Sequence, residues 1–386
     1  MDVLKFSQML SDKHITNFRK LKYKYPNDFE EFINVLKSSF YKKLPLNDFD
    51  GESLVYLTSC TGVNLEAVKL LFTAQKSAYA AKAVEEEIVA TSAIESIDFD
   101  RSSVRSIMRG NAPKDSGENR IYGLKRGFDF ISDRRNHITE KNIHKLYMMA
   151  IGDFLEGDDR LRDGNYYRHD DVYVMSGDSA VHRGIGSGKL SGYMKRFVDF
   201  ANADDGTNDL LKAAILHFDI AYLHPYFDGN GRMARLLHMW FLIQRGYEST
   251  LFVPMSSYIE KSREKYYDAY TLVENNARLA GVTDVTPFLM YFIKHVYDEM
   301  KPNAVKTDTA ERYDEVLRSG EVTVKEAKLW QFVLSTYGGE SFTTKQLEKD
   351  FGDAAFATVR KFVLKFSEFG LLDLQEMKNK VIYRIR

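Results

Sequence analysis

Apolar residues recur at helical spacing along most of the chain. Residues 27–44, 64–96 and 209–223 each place apolar side chains at positions i, i+3, i+4 and i+7. Only seven prolines occur in the sequence, so long helices meet few breakers. Strand-like alternation is confined to "DVYVMS" at Asp171–Ser176 and to two β-prone runs around a polar turn in residues 371–385. The pattern predicts a mainly α-helical protein with small β-hairpins.

The helical pattern breaks at Lys301–Thr309, "KPNAVKTDT", where Pro, Asn and other polar residues predict a domain boundary. Beyond it, the periodicity indicates helices at Lys325–Thr336, Thr344–Phe351 and Ala354–Phe369, followed by the two β-prone runs. Three helices and a β-ribbon resemble a winged helix-turn-helix, whose third helix can enter the major groove of DNA.

The third of these helices is predicted to bury an apolar stripe formed by Phe356, Val359, Val363 and Phe366. It is predicted to expose three basic side chains, those of Arg360, Lys361 and Lys365. Because this basic cluster is small, two alternatives stay open: the face binds DNA, or it contacts another protein.

These boundaries give four regions: an N-terminal helical region (1–84), a helical core (85–300), a linker (301–324) and a C-terminal module (325–386). The 386 residues carry a formal net charge of −1, so no overall basic bias points to nucleic acid. The single cysteine, Cys60, excludes a disulfide framework and suits a reducing compartment. With no signal peptide pattern and no apolar run of membrane-spanning length, the sequence predicts a cytoplasmic protein without a membrane partner.

Chemistry concentrates in "LHPYFDGNGRMAR", residues Leu223–Arg235, directly after an apolar helix. Pro225 ends that helix just after His224. The next helix opens at the glycine-rich turn, so its unpaired N–H groups and positive dipole end form an anion site.

The side chains around that turn suit phosphate chemistry. Arg232 and Arg235 are three residues apart on one helical face, and guanidinium groups bind phosphate oxygens well. Asp228 can hold Mg²⁺, which bridges phosphates, and His224 can accept a proton from a hydroxyl nucleophile. Together these parts are what phosphoryl or nucleotidyl transfer requires.

Each part also has a simpler interpretation. A histidine after an apolar helix is commonly a structural hydrogen bonder, and a Gly-Asn-Gly segment is commonly only a turn. A zinc site made of His224, Asp228 and His238 is a further alternative, but it leaves both arginines unexplained.

The segment "HPYFDGNGRMAR" resembles the signature of the Fic family, H-P-F-x-[DE]-G-N-G-R-x-x-R, with Tyr226 at the usual Phe position. The resemblance implies a helical core, here about Glu85–Met300, that transfers AMP from ATP to a hydroxyl side chain of a target protein. It implies that His224 is the base and that Asp228 holds Mg²⁺. It assigns phosphate binding to Gly229, Asn230, Gly231, Arg232 and Arg235.

Gly231 also bears on the reaction that the resemblance implies. A branch similar to the Doc toxins acts as a kinase and has lysine at that position, so Gly231 favours AMP transfer.

Two further segments match the family. The residues Val172, Tyr173, Val174 and Met175 lie where the family has a β-hairpin flap that docks the target segment. Because "SREKYYDAY" resembles the helix beside the adenine, Tyr267 is a candidate contact with the base. The alternatives are an ordinary surface hairpin for the first segment and a core tyrosine for the second.

"TSAIES" at Thr91–Ser96 resembles the inhibitory motif of the family, [ST]-x-x-x-E-[GN]. In relatives the glutamate, here Glu95, pairs with the second motif arginine and disturbs the γ-phosphate. This places an inhibitory helix near residues 85–98. Ser96 departs from the expected Gly or Asn, which puts the local helix exit in doubt.

The leading hypothesis is therefore a Mg²⁺-dependent protein adenylyltransferase restrained by Glu95, with ATP and a target protein as partners and homo-oligomers as an option. The alternatives are a DNA-binding regulator with a nucleotide-sensing core, a deAMPylase, and a transferase that uses another nucleotide donor.

Overall fold

Helices make up most of the chain, which confirms the mainly α-helical prediction. A computed structural model describes all residues except 73–79, 98–99, 177–178, 301–306, 338–340, 353 and 378–379. The chain forms two compact units. The first comprises Met1–Thr73, Glu87–Thr250 and Pro254–Met300, and the second comprises Ala74–Glu86, Leu251–Val253 and Lys301–Arg386.

The α-helices of the described residues are, in chain order, α1 Val3–Leu10, α2 Phe18–Lys24, α3 Phe29–Val35, α4 Leu65–Phe72, α5 Ala80–Ile94, α6 Arg101–Met108, α7 Ser116–Ser132, α8 Glu140–Ala150, α9 Leu190–Asn202, α10 Asp209–Leu223, α11 Asn230–Gln244, α12 Met255–Lys261, α13 Arg263–Ala280, α14 Thr286–Phe292, α15 Thr307–Arg318, α16 Val324–Thr336, α17 Thr344–Phe351 and α18 Phe356–Glu368. The strands form three antiparallel hairpins, β1 Tyr41–Asn47 with β2 Ser53–Leu57, β3 Tyr173–Ser176 with β4 Ser179–Arg183, and β5 Leu372–Met377 with β6 Lys380–Ile385.

The helices α10 and α11 form the centre of the first unit. Both are buried on nearly all faces, as expected for helices that are apolar all round. They pack against each other, α10 also packs against α9 and α14, and α11 also packs against α7. The Asn208 side chain caps α10 by accepting hydrogen bonds from two backbone N–H groups of its first turn. The predicted helix at residues 209–223 is therefore confirmed, and it ends next to the motif.

The N-terminal region, predicted to be helical, also contains the hairpin β1–β2, and the predicted helical pattern at residues 27–44 runs into β1. Leu44 and Leu46 are buried in β1, whereas the alternating residues Lys43 and Pro45 are exposed. This alternation of period two is too short to compete with the helical pattern of α3 that precedes it. Val55 of β2 also exchanges backbone hydrogen bonds with Thr283 (3.0 Å) and Val285 (2.9 Å), so this region is tied into the helical core.

The second unit contains α15–α18 and the hairpin β5–β6, and the three helices α16–α18 lie where the sequence predicted them. Its core includes Trp330, Phe362, Phe366 and Tyr383. The predicted linker 301–324 includes α15, whose Tyr313 packs against Trp330 with ring centroids 5.6 Å apart. The classification of this unit as a winged helix-turn-helix stays a prediction.

The outward face of α18 differs from the prediction in two respects. Phe356 is 38% exposed because it begins the helix one turn before the buried stripe, and Phe362 takes the inward position. The ammonium group of Lys365 lies 2.9 Å from both carboxylate oxygens of Glu326. The predicted basic face therefore loses one unpaired charge, which weakens the electrostatic argument for DNA binding.

Within the described ranges, no helix combines the length and the apolar character needed to span a membrane.

Candidate active site

The chain reverses between α10 and α11 through residues 224–229, and two left-handed residues make the turn. His224 ends α10 with φ 52° and ψ 61°, a conformation that is rare outside glycine and is enriched at functional sites. Gly229 has φ 86°, and a Cβ atom at this position would lie 2.7 Å from Ile151 Cγ2. Gly229 is therefore required both by its backbone angle and by the close approach of Ile151.

The imidazole of His224 is oriented by its own helix. Its Nδ1 lies 3.3 Å from the carbonyl oxygen of Ala221. A carbonyl can only accept, so this contact assigns the proton to Nδ1 and makes Nε2 the nitrogen that can take up a proton.

Asn230 stabilises the turn from inside. Its side-chain oxygen accepts a hydrogen bond from the Tyr226 N–H (3.0 Å), and its side-chain nitrogen donates to the Tyr226 carbonyl (2.8 Å). The Tyr226 ring stacks on Tyr147 with ring centroids 3.6 Å apart. The Asn230 side chain therefore holds the loop, and its backbone N–H lies at the start of α11, where it can serve an anion.

The start of α11 has the features of an anion site. The N-cap residue is Gly229, which has no side chain to cap the helix, and the first N–H groups of a helix lack intrahelical partners. Asp228 receives hydrogen bonds from Arg232 Nη2 (2.7 Å) and from the Gly229 N–H (2.6 Å). Within the described part of the chain, Arg232 Nε and Arg235 Nη1 are buried without a hydrogen-bond partner. Unsatisfied buried guanidinium nitrogens are costly, and an anionic ligand would satisfy them.

Glu95 reaches this anion site from α5. Arg235 Nη2 donates to Glu95 Oε1 (2.5 Å), and Arg235 Nε donates to the Thr91 hydroxyl (2.6 Å). A Cβ atom built on Gly231 would lie 2.6 Å from Glu95 Oε1 and 3.4 Å from Arg235 Nη1. The Glu95 carboxylate therefore lies against the glycine at the start of α11, in the space that an anion would use.

The pair of Arg235 and Glu95 is shielded from water, with side chains 3% and 20% exposed. Burial acts to lower the pKa of Arg235, but the charges of Glu95 and other neighbours outweigh it and raise the pKa. Arg235 is therefore held in its charged form.

The helix α5, which Glu95 directly follows, is fixed at two further points. Glu87 accepts a hydrogen bond from the Ser256 N–H (2.8 Å) and another from the Ser256 hydroxyl. Burial raises the pKa of Glu87, while these hydrogen bonds act in the opposite direction. At the other end, Arg263 donates to the carbonyl of Ala93 (3.3 Å) and to the Ser96 hydroxyl (3.1 Å). The position of Glu95 is thus set by several contacts.

The exit of α5 resolves the doubt raised by Ser96. Ser96 has φ 56°, in the left-handed region that Gly and Asn adopt readily. Its N–H donates to Ala93 (3.1 Å), and the N–H of Ile97 donates to Ser92 (2.9 Å). This is the hydrogen-bond pattern of a Schellman helix end. Serine takes the place of glycine there, with a conformational strain of about 1 kcal/mol.

A cavity of about 100 Å³ adjoins the anion site. Its lining combines charged and apolar side chains, those of Glu95, Ile97, Arg120, Ala150, Ile151, Phe154, Leu155, Asp228 and Arg232. Typical small-molecule sites have volumes of about 300–1,000 Å³, so the cavity in this conformation is too small for a whole nucleotide.

The predicted flap is a hairpin. Strands β3 and β4 pair antiparallel with Tyr173 opposite Arg183, and Val172 lies just before β3. Among the described residues each of these strands pairs only with the other, so the backbone of β3 keeps one open edge.

Arg168 joins the base of this hairpin to the motif. Its Nε donates to the His224 carbonyl (2.7 Å), and its Nη1 donates to the Asp170 carbonyl (2.6 Å). Its Nη2 donates to the carbonyl of Ile185, just beyond β4. A Cβ atom on Gly184 would lie 2.8 Å from Arg168 Nη2 and 3.1 Å from His224 Cβ. The chain after the hairpin therefore packs directly against His224.

Tyr267 does not line the cavity beside the anion site. It lies on α13, is 45% exposed, and has Arg263 over its ring at 5.9 Å. It is not among the residues that line the cavity beside Asp228 and Arg232. The adenine contact predicted for Tyr267 therefore stays a prediction.

The donor set suits magnesium better than zinc. His238 lies buried against Phe292 and shares a 3.1 Å hydrogen bond with Tyr297. In the described segments, no three His, Cys, Asp or Glu side chains cluster in a way that could hold a metal. Asp228 presents one carboxylate, 46% exposed, close to the start of α11. Mg²⁺ is commonly bound by one or two carboxylates together with phosphates, so Asp228 fits that role.

Comparison with known proteins finds a family match that includes this site. Residues 137–242 match the model of the Fic/DOC family. This Fic segment runs from before α8 into α11 and contains the motif from His224 to Arg235.

The relatives agree with the Fic match. Protein adenylyltransferase Fic of Drosophila willistoni is 28% identical over 237 residues, which are 58% of this chain and 42% of that protein. The protein of the same name in Culex quinquefasciatus is 28% identical over 199 residues, 50% of this chain and 35% of that protein. The chain thus matches less than half the length of these relatives.

A solved structure extends the likeness beyond the Fic segment. The crystal structure of a Fic family protein from Desulfovibrio desulfuricans G20 aligns with 86% of this chain and 97% of its own, with a TM-score of 0.53 at 18% identity. At this identity, the comparison establishes a shared fold.

Sequence reasoning missed Arg168, Arg120 and Ile151 at this site. Arg168 acts on backbone carbonyls, and such contacts leave no pattern in the sequence. Ile151 belongs to an ordinary apolar run, and Arg120 reaches the cavity from α7, far from the motif. The sequence offered only the arginine of "GNYYRHD", a few residues before the predicted flap.

Proposed function

We propose that this protein transfers AMP from ATP to the hydroxyl group of a protein side chain, on a target and on itself, and that Glu95 restrains the reaction. The observation that carries this proposal is the start of α11. The first N–H groups of the helix, Arg232 and Arg235 lie there, a few residues after His224 in the chain, and two buried guanidinium nitrogens have no hydrogen-bond partner among the described residues. The names of the relatives support the same chemistry.

In the proposed reaction, His224 Nε2 accepts the proton of the attacking hydroxyl group. The hydroxyl oxygen forms a bond to the α-phosphorus of ATP, the bond to the β-phosphate oxygen breaks, and pyrophosphate leaves. The N–H groups at the start of α11 stabilise the negative charge on the α-phosphate. Arg232 and Arg235 hold the distal phosphates in line with the attacking oxygen.

Magnesium, held by Asp228, would neutralise charge on the phosphates. In the structure Arg232 pairs with Asp228. We propose that this arginine turns to the phosphates when ATP enters, which leaves the carboxylate to the ion.

The flap is proposed to present the target. An extended segment of the target protein can add to the open edge of β3 through backbone hydrogen bonds. This would place a Ser, Thr or Tyr hydroxyl group near His224, because Arg168 ties the base of the hairpin to the His224 carbonyl.

The donor and the reaction class are tested by intact-mass analysis. The Glu95→Gly protein is incubated with Mg²⁺ and, in separate samples, ATP, CTP, GTP and UTP. The expected product is the chain plus one adenylyl group, formed with ATP alone. An adduct with another nucleotide would correct the donor, and the absence of every adduct would count against the proposal.

A prediction concerns the metal site. In the Glu95→Gly background, Asp228→Asn should lower kcat/KM at limiting Mg²⁺ by roughly tenfold or more, since a lost metal ligand of about 1.4 kcal/mol suffices for that. Asparagine can still accept the Gly229 N–H, so thermal unfolding should change little. Magnesium titrations of the two proteins check this, and superimposable curves would remove Asp228 from the metal site.

Another prediction concerns Arg168. Lysine can keep the charge of Arg168 but cannot span the three carbonyls. Arg168→Lys should therefore displace His224 and leave the residues that bind the phosphates of ATP in place. We expect kcat to fall by roughly tenfold, since small displacements of a reacting group cost one to two orders of magnitude, while KM for ATP stays the same. The control is Arg162→Lys, the same substitution at an exposed arginine. An unchanged kcat, or a matching rise in KM, would contradict a positioning role.

A further inference from the structure

The cavity beside the anion site is also lined by a cation from outside the motif, Arg120. It belongs to α7, and its side chain lines the cavity together with Asp228 and Arg232. The residue is exposed, so it stands at the solvent side of the cavity.

Among the described residues, Arg120 has no counter-ion. Across the residues that the structure describes, its guanidinium group makes no hydrogen bond and no ion pair. By contrast, Glu95 is paired with Arg235, and Asp228 is paired with Arg232. A cavity whose other charged groups already neutralise each other thus carries one cation without a counter-ion.

The chemistry of a triphosphate fits this arrangement. Arg232 and Arg235 lie on one helix, and both must give up a carboxylate partner when phosphates bind. A nucleoside triphosphate brings more negative charge than these two residues neutralise. A guanidinium group on a second helix can bind a terminal phosphate with its planar fork.

We propose that Arg120 is a third arginine ligand of the distal phosphates and makes the site select a nucleoside triphosphate over a nucleoside monophosphate. This inference rests on the proposed function, because it assumes that the cavity receives the phosphates of ATP.

Binding measurements test the inference without turnover. The full chain with Glu95→Gly and His224→Ala is titrated with ATP and, in competition, with AMP. Adding Arg120→Ala should raise Kd for ATP roughly five- to twentyfold, as expected for one partly exposed charge-assisted contact, and should leave Kd for AMP within about twofold. Arg120→Lys should fall between. Arg126→Ala, on the same helix but stacked over Tyr122, is the control and should bind like the parent.

The outcomes are distinguishable. If Arg120→Ala leaves Kd for ATP unchanged, or raises Kd for ATP and AMP equally, the inference is wrong while the proposed function stands. If the parent itself binds no ATP, the proposed function and the inference fall together.

Discussion

Replacement of His224 by alanine is expected to lower AMP transfer by roughly 10²–10⁴-fold, the usual contribution of a positioned general base. ATP binding should persist, because we propose that the start of α11, Arg232 and Arg235 hold the phosphates. The comparison is made in the Glu95→Gly background, where the parent rate is measurable, with transfer followed by radiolabel and ATP affinity by calorimetry.

His137→Ala is a suitable control, because His137 is an exposed histidine of the same unit whose Nδ1 contacts only Gln244 among the described residues (3.2 Å). It should transfer AMP at the parent rate. Near-parent transfer by His224→Ala would remove the residue from the chemistry. A loss of both transfer and ATP binding would assign it a structural role at the helix end.

Glu95→Gly is expected to raise self-modification and target modification by one to two orders of magnitude. Removal of the carboxylate frees Arg235 and the space beside Gly231, so the triphosphate can bind with its α-phosphate toward the hydroxyl group. A desolvated ion pair is worth at most a few kcal/mol, and about 1.4 kcal/mol corresponds to a tenfold rate. Initial rates of the two proteins, measured at the same ATP concentration, check the gain.

Two variants distinguish release of inhibition from a general loosening of α5. Ser96→Gly changes the same helix exit but keeps the carboxylate, and glycine suits the left-handed backbone there, so inhibition should remain. Arg235→Ala should not raise activity, because it removes a phosphate ligand together with the partner of Glu95. Since the two residues are coupled, the double variant should behave like Arg235→Ala alone. Activation by Ser96→Gly would show that helix strain, and not the carboxylate, restrains the enzyme.

The site could be predicted from the sequence where its parts are contiguous. The apolar run of α10, the turn and the two arginines of α11 follow one another, so local spacing already places a base beside an anion site. Glu95 and Arg235 are 140 residues apart, and periodicity alone predicts only a solvated glutamate on α5. The family resemblance supplied that contact, and the geometry of Ser96 explains why a departure from the motif leaves the helix exit intact.

Features that depend on tertiary contacts were not predictable in this way. Arg168 recognises backbone carbonyls of three segments, and no residue pattern encodes such partners. The hairpin β1–β2 was missed because its alternation covers only a few residues after a strong helical pattern. In α18, the inward turn of Phe362 and the pairing of Lys365 with Glu326 depend on where the helix starts and on a neighbouring helix.

The most direct test of AMP transfer uses ATP labelled at either the α- or the γ-phosphate. The Glu95→Gly protein is incubated with each form and Mg²⁺, and label bound to protein is measured beside the variant that also carries His224→Ala. Our account predicts protein-bound label from α-labelled ATP only, and none in the His224→Ala variant. Label from the γ-phosphate would show phosphoryl transfer and contradict the account.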